Sequence, residues 1–539
     1  MSTHTDEDKS RHDDEKVMDD VHDATAVEAE AEYSDEEYRK LLRKLDWYLM
    51  PIMAITYGVQ YCDKQSISTS TLFGLVEDNG LHGQQTAWLS TVFYLAYLVF
   101  EFPMNYIMQK VNLGRFLAAI VFVWGAMVML LAACHNFAGL MVLRTFIGAL
   151  ESCISPGFLL IVASWYKRQE HGTRSMIFLA QNGFFSIFIG LITYGIGSAT
   201  ENHNTIAAWR AINLFLGGMT VAWSIALFLF LGTPNEVRWL NAEEKKMATA
   251  RIVSNQSRGS DKSEWDWDQV KEAFLDPQVW FYFFISFLAN IPNGGYGVFG
   301  SLVTKSFGFT SLQVILLNMP GGAIGGSFNI ISGYLSSKWR NTRTYFMAFS
   351  MIAGTAGLLV AALLPAEHEY RWKRWGGLLT MSIYSTATFM GWSMLPSNVA
   401  GNTKRSTASA MSFVAYAVAN ACGSQLYKAK DAPLYRPGLI GSAICFGLTF
   451  VAIFMLRFYY MWVNAKRDKL AKESGLSEEE MERQGKINGE NGLTDLQNPH
   501  FSRAPKEAND RFLDLFEDYF AQDDEVLKED ERPELGFQV

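Results

Sequence analysis

The feature that most limits what this chain can become is a succession of apolar blocks, each about twenty residues long. A helix of about that length rises roughly 30 Å, the thickness of a bilayer's hydrocarbon core. Twelve such blocks can be marked, at 47–72, 84–108, 115–134, 138–165, 174–198, 209–231, 277–303, 311–337, 343–364, 375–399, 407–428 and 438–462. The expected fold is therefore an all-α polytopic membrane protein. The longest polar insertion, 232–276, follows the sixth block and leaves two halves of six. That division is typical of duplicated transporter folds, whose sites lie between the halves. The expected layout is an acidic disordered tail over 1–44, a six-helix bundle over 45–231, a central loop over 232–276, a second six-helix bundle over 277–463 and an acidic tail over 464–539.

The averaged composition conceals this. Of 539 residues 49% are hydrophobic and 19% charged, with net charge -9, figures that would suit a soluble protein. The charges are segregated, however. Residues 1–38 hold 15 acidic side chains against 3 basic, residues 464–539 hold 20 against 11, and 39–463 is left with +12. Acidic tails are the opposite of the basic footprint that a phosphate backbone requires, so no nucleic-acid partner is expected. Cys62, Cys134, Cys153, Cys422 and Cys445 lack metal-ligand spacing and read as small packing residues, and neither a metal nor a cofactor is expected. The acidic N-terminus has no basic and apolar regions of the kind a cleaved signal peptide needs, so the first membrane helix is expected to target the chain.

Basic residues in short loops orient the halves. Arg39, Lys40, Arg43 and Lys44 precede the first block, Lys110 and Arg115 follow the second, and Lys167, Arg168 and Arg174 follow the fourth. The other side of this half offers only Arg210. Both termini and the central loop are therefore expected in the cytoplasm. In that loop Asn241 and Glu244 read as a helix cap box, and Trp265, Trp267, Val270 and Phe274 suit an interfacial helix that ends at Asp276-Pro277. Near the C-terminus Phe512, Leu513, Leu515, Phe516, Tyr519 and Phe520 form an apolar stripe with the character of a partner-binding segment.

Ionisable residues inside spans are costly, by about 2.5–3.5 kcal/mol each on insertion scales, so those present are expected to line a cavity and act there. Asp63 and Lys64 lie in the first block, Glu101 in the second, and Arg144 and Glu151 in the fourth. Arg144 and Glu151 are seven residues apart, two helical turns, and share a face that Gly148 is expected to leave open. Pro156 and Gly157 are expected to weaken the helix just beyond. Tyr61 and Lys64 share a face while Asp63 points about 100° away. A guanidinium and an ammonium in one cavity suit a carboxylate substrate, and a buried carboxyl can carry a proton at physiological pH. Interhelical ion pairs that only hold helices together would satisfy the same charges. Glu101, before Phe102-Pro103, reads as a structural or gating contact. In the second half Asn290-Ile291-Pro292-Asn293-Gly294-Gly295 weakens the seventh block, with Asn293 and Tyr296 as candidate contacts. Gly321, Gly322, Gly325 and Gly326 read as close helix packing in the eighth, and Asn420 and Gln425 are polar candidates in the eleventh.

Several segments resemble the anion:cation symporter family of the major facilitator superfamily, and within it the fungal allantoate permease-like branch. They are Tyr61-Cys62-Asp63-Lys64, Tyr97 through Glu101-Phe102-Pro103-Met104-Asn105, the stretch from Arg144 to Trp165-Tyr166-Lys167-Arg168, Pro292-Asn293-Gly294-Gly295, Asn398 through Arg405, and Asn420 through Leu426. The resemblance covers about residues 45–463 and implies proton-coupled uptake of small organic anions such as ureides, vitamin acids, amino acids or small peptides. It implies substrate contacts at Tyr61, Lys64, Tyr97, Arg144 and Asn420, with proton coupling at Asp63 and Glu151. Lys64 stands where other branches frequently have Arg. The loop after the second block has Arg115 but lacks the acidic residue of the general superfamily motif, which puts that loop's usual gating role in question.

The expected function is thus a secondary active transporter that moves a small carboxylate with protons by alternating access. It is expected as a monomer in the plasma membrane. Proton-antiport efflux of a metabolite and a nutrient-sensing receptor with little flux remain open at this level. An enzyme is not expected, because no metal cluster, nucleophile elbow or phosphate loop stands among the spans.

Overall fold

The computed structural model describes residues 33–166, 168–203, 206–256, 265–339, 341–474, 480, 483–485, 488 and 493–498. The stripe at 512–520, Lys167 and the acidic residues before Tyr33 lie outside these. Every expected span holds helical structure. Numbered by span, helix 1 is Asp35–Leu72, helix 2 Gln85–Met108, helix 3 Leu113–Leu131, and helix 4 comprises Phe137–Glu151 and Ile154–Trp165. Helix 5 is Arg168–His203, helix 6 Ala208–Phe230, helix 7 Pro277–Lys305, helix 8 Ser311–Lys338 and helix 9 Arg343–Leu363. Helix 10 comprises Arg371–Thr380, a 3-10 turn at Met381–Tyr384 and Ser385–Asn398, helix 11 is Asn402–Leu426 and helix 12 Arg436–Ser474. No strand occurs among the described residues.

Helices 1–6 form one bundle, with 3 against 6, 2 against 4, and 1 against 5 and 6; helices 7–12 form the other, with 7 against 11 and 12, and 9 against 12. The bundles meet where helix 5 packs on 8, helix 2 on 11 and helix 1 on 7. Among the described residues, eight helices are long and apolar enough to cross a membrane. Helices 1, 7, 10 and 11 are not among the eight. Helices 1, 7 and 11 carry Asp63 and Lys64, the Asn290–Gly297 stretch and Asn420, polar residues suited to sides turned away from lipid, and helix 10 is divided by its 3-10 turn into pieces of 10 and 14 residues.

Helix 1 starts twelve residues before the expected span, inside the segment read as a disordered tail. Ser34 caps it with a complete capping box to Glu37, and Leu41, Leu45 and Leu49, spaced one turn apart, bury the extra turns. Helix 4 breaks directly after Glu151. Pro156 has no N–H to give the carbonyl of Ser152 four residues back, and the hydroxyl of Ser152 donates to the Ala149 carbonyl at 2.7 Å. Gly148 does not leave its face open. Helix 2 fills it so closely that an added Cβ would lie 2.3 Å from the Phe93 carbonyl oxygen. In helix 8 the glycines do pack closely: a Cβ on Gly322 would stand 2.5 Å from the carbonyl of Gly183 in helix 5, across the interface of the bundles.

The central loop forms two short helices. Ala242–Gln256 begins at the expected box, with Asn241 N–H donating to Glu244 at 2.9 Å and Glu244 N–H to Asn241 at 2.7 Å. Trp267–Leu275 leaves Trp265, Trp267 and Phe274 exposed, and Asp276 caps helix 7 with Pro277 at its first position. Lys44 at the start of helix 1 pairs with Glu244 at 2.7 Å, so the chain entrance and the central loop share one face, here called the terminal face.

Close helix contact at Gly148 predicts opposite signs for two equal substitutions. Gly148→Ala is expected to lower the stability of the purified protein by about 2–3 kcal/mol through overpacking. Gly218→Ala, where nothing lies within 4 Å of the added carbon, is expected to raise it by about 0.5–1 kcal/mol through helix propensity. Thermal unfolding midpoints check this, and a Gly148→Ala midpoint at or above the wild-type value overturns the packing account.

Candidate functional site

A cavity of about 100 Å³ lies between the bundles, walled by Gln60, Tyr61, Lys64 and Gln65 of helix 1, Tyr94 of helix 2, Arg144 of helix 4, Asn290 and Asn293 of helix 7, and Tyr384, Thr388, Phe389 and Trp392 of helix 10, among others. Lys64 and Arg144 are its charged wall residues; no acidic side chain lines it among the described residues. A second space of about 260 Å³ shares Tyr61, Gln65, Asn182, Asn293, Tyr384, Ser385 and Phe389 with the first and runs on between helices 1, 5, 7 and 8. Its wall carries hydroxyls and amides but no charge.

The four ionisable residues of helices 1 and 4 are not equivalent. Glu151 is fully buried and sits 3.4 Å from the Lys64 ammonium, an ion pair outside hydrogen-bonding geometry, since neither carboxylate oxygen has a hydrogen-bond partner. Phe93 and Tyr97 flank the same ammonium, their ring centres 6.0 and 5.5 Å away. Gln60 donates to the Glu151 backbone carbonyl at 3.4 Å, tying helix 1 to the break in helix 4. Asp63 turns to the other side of helix 1, as the 100° offset requires. Its Oδ2 accepts from Thr220 of helix 6 at 3.2 Å, and its Oδ1 is buried without a partner. Arg144 is 5% exposed, faces the cavity, and makes no hydrogen bond or ion pair among the described residues.

Other expected contacts take different positions. Asn293 lines the cavity and donates to Asn420 Oδ1 at 2.8 Å; Asn420 stands behind it, donating in turn to the Tyr416 carbonyl. Tyr61 reaches both spaces and its hydroxyl accepts from Gln65 at 3.2 Å. Tyr97 lies behind Lys64 rather than in the cavity wall. Glu101 is half-buried among the exposed Phe100, Phe102 and Tyr106 on helix 2. Arg115 is exposed in the first turn of helix 3, whose cap Asn112 accepts from its backbone. Several wall residues, Tyr94, Tyr384 and Trp392 among them, have no signal in the sequence. The indole N–H of Trp392 is buried without an acceptor, its ring held by Phe413 and Tyr416 at 5.2 and 5.6 Å. A tryptophan inside an apolar span gives no sign of this, since most such rings are only packed.

The far face, away from the termini, is pinned between bundles. Thr91 of helix 2 donates to the Ala421 carbonyl at 3.1 Å and meets the Ser424 hydroxyl at 2.8 Å, while Gln425 donates to Thr91 at 2.8 Å. Ser68 bonds Ser301 at 3.0 Å, Ser311 donates to the Leu72 carbonyl, and Ala429 N–H donates to Gln84. On the terminal face Arg174 forks onto Asp46 at 2.8 and 2.9 Å within the first bundle, and Lys404 is held within the second.

Two helical bundles around a cavity whose charged walls are cationic define a membrane transporter. The chain matches the family model of the Major Facilitator Superfamily over residues 53–424. It is 34% identical over 483 residues to an uncharacterized transporter of Schizosaccharomyces pombe, covering 89% of this chain and 90% of that one. It is 32% identical over 497 residues to the allantoate permease of Saccharomyces cerevisiae, covering 90% of each. A solved bacterial homologue of the human lysosomal transporter Spinster, inward-facing and occupied, matches with TM-score 0.54 and 12% identity over 77% of this chain and 96% of that one, a likeness of fold alone. The protein belongs to the Major Facilitator Superfamily, in an allantoate permease-like branch. It is a multi-pass membrane transporter, and the superfamily is not enzymatic.

The Lys64–Glu151 contact generates a prediction that needs no ligand. Removing one partner leaves the buried Glu151 carboxyl without its ion pair, which costs up to about 3–5 kcal/mol if it stays charged, whereas removing both is nearly neutral. Lys64→Met is expected to lower the unfolding midpoint of purified protein markedly, and Lys64→Met with Glu151→Gln to recover most of the loss. Additive losses in the double variant would show that the two side chains do not act as a pair.

Proposed function

We propose that this protein takes up a small organic anion together with protons by alternating access. The observation that carries the reading is the guanidinium of Arg144, which makes no hydrogen bond or ion pair among the described residues and faces a cavity that no acidic side chain among those residues lines. A guanidinium presents a planar fork of donors suited to a carboxylate, and in a low-dielectric space such a charge needs an anion. Lys64, Glu151, Asp63 and Arg144 have formal charges that cancel, so an arriving anion alone would leave the cluster negative. A proton on Glu151 frees the Lys64 ammonium, leaves a net positive charge and lets the anion enter a balanced site. When Glu151 loses that proton it reclaims Lys64 and weakens the hold on the anion. Asp63, on the helix 6 side, is a second proton site in this scheme. Tyr61 and Asn293 would meet the rest of the substrate, with Asn420 setting the orientation of Asn293; Trp392 would donate from the opposite bundle. Likeness to the allantoate permease supports a substrate class of ureido or similar carboxylates.

In this reading the protein works as a monomer in the plasma membrane, with both termini and the central loop in the cytoplasm. Glu101 and Pro156 shape the moving helices, and Arg115 anchors the entrance of helix 3.

Proteoliposome uptake of radiolabelled allantoate under an inward proton gradient tests the scheme. Wild type is expected to accumulate it, and Glu151→Gln to retain exchange while losing gradient-driven accumulation. Normal accumulation by Glu151→Gln removes the proton assignment. Arg144→Lys, which keeps the charge but loses the fork, is expected to raise KM by about 10–100-fold, and Trp392→Phe by roughly fivefold, from the loss of charged and neutral hydrogen bonds respectively. Unchanged KM in Arg144→Lys removes the carboxylate assignment.

A further inference from the structure

The terminal face of the second bundle contains a polar knot unrelated to the cavity. Lys404, in the first turn of helix 11, is fully buried, and three carboxylates surround its ammonium: Glu272 at 2.9 Å, Asp276 at 2.6 Å and Asp495 at 2.8 Å. Glu272 belongs to the short central-loop helix Trp267–Leu275, Asp276 caps helix 7, and Asp495 comes from the acidic C-terminal tail, beyond the end of helix 12 at Ser474. Burial opposes the charge on Lys404, but the carboxylates of Asp495 and Asp276 outweigh it and raise the ammonium's pKa.

Asp495 is itself fully buried and uses both carboxylate oxygens. One accepts from Lys404 and from the Ala400 backbone N–H at 3.3 Å, in the turn between helices 10 and 11; the other accepts from the Gln278 amide at 2.7 Å. Arg467, on the extension of helix 12, donates to the Asp495 carbonyl. The neighbouring residues form a small folded unit: Thr494 and Asn498 are also fully buried, and Thr494 exchanges hydrogen bonds with Gln497 at 3.2 Å in each direction. An acidic tail segment that was only solvated would have no reason to bury a carboxylate among two others.

The knot has mechanical reach. Lys404 N–H donates to Gln269 and Asp266 N–H to Thr403, so the loop helix is bound to the start of helix 11. At its other end the central loop is tied to helix 1 by Lys44 and Glu244. The central loop is thus anchored to both bundles on the face where they must approach each other when access switches, while the far face is the one pinned shut.

We propose that the segment Thr494–Asn498 is a regulatory latch that docks on the Lys404 hub and stabilises the conformation in which the far face is closed. Undocking it, by a modification or a partner that takes up the tail, shifts the carrier toward the conformation open on the far face. The regulatory consequence rests on the alternating-access reading; the docking does not.

The test uses the full chain with its five native cysteines replaced by alanine and with Ser424→Cys, a fully buried position on the sealed far face. Maleimide labelling is timed in detergent with the tail intact, with Asp495→Ala, and with residues 475–539 deleted; hydrogen exchange of 400–404 and 494–498 is followed in parallel. Docking predicts protected amides that lose protection by at least tenfold in Asp495→Ala, and latching predicts Ser424→Cys labelling at least threefold faster in both variants. Equal labelling rates with lost protection would show that the tail docks without biasing the cycle, and equal protection would show that it does not dock; either overturns the latch. Since neither readout uses a substrate, a failure of allantoate uptake leaves this test intact. A variant that misfolds is recognised by its unfolding midpoint, and the other then decides.

Discussion

A guanidinium inside hydrocarbon must be met by an anion, by water or by a cavity that holds one, and Arg144 is met by a cavity. Much of the first bundle serves that arrangement. Glu151, two turns along the same helix, lies at ion-pair distance from Lys64, and the break after Glu151 is held by Gln60 from helix 1. Asp63 is turned to Thr220 by the pitch of helix 1. Both carboxylates lie behind the wall, so the charged side chains that line the cavity are the two cations. In a neutral cluster that exposes only its cations, an added anion and an added proton shift the charge balance in opposite directions.

The helix positions were legible because hydrocarbon thickness and backbone pairing leave little freedom, and each apolar block became helical. The discrepancies have local causes. Helix 1 reaches back to Asp35 because Ser34 and Glu37 form a capping box and Leu41, Leu45 and Leu49 have a core to meet. That signal is in the sequence, but it is polar and precedes the apolar block. The 3-10 turn in helix 10 has no proline or other signal of its own; it occurs where Gly325 of helix 8 lets Ser382 approach to contact distance. The carbonyl of Phe93 filling the space at Gly148 is likewise a property of two helices and cannot be read from either.

The candidate site was legible as a set of residues and not as a set of partners. Costly charges in spans singled out Asp63, Lys64, Arg144 and Glu151, but helical spacing alone suggested that Arg144 and Glu151 belong together. The three-dimensional arrangement pairs Glu151 across helices instead. Asn293 and Asn420 were marked one by one, and only the structure shows the amide of one resting on the other. Trp392 and Asp495 were invisible for the same reason from opposite directions: a tryptophan in an apolar block and an aspartate in an acidic tail are the commonest residues in the commonest places. What distinguishes them is an unpaired N–H in one case and complete burial in the other.

Those two ends of the molecule meet in helices 7, 10 and 11. Helix 7 begins at the Asp276 cap in the Lys404 hub and contributes Asn293 to the cavity; helix 10 carries Trp392 and leads into the turn whose Ala400 N–H holds Asp495; helix 11 begins near Lys404 and ends near Ser424 and Gln425 on the far face. Each of these helices therefore connects a charge-dense anchor on one face with a different polar function further along. A rigid helix transmits displacement, not charge, so a change in the hub reaches the cavity wall only by moving an end of helix 7, 10 or 11. Helices 7 and 11, whose polar residues serve the hub, the cavity side and the far-face seal along one length, and helix 10, divided by its 3-10 turn, thus fall outside the set of plainly membrane-spanning helices.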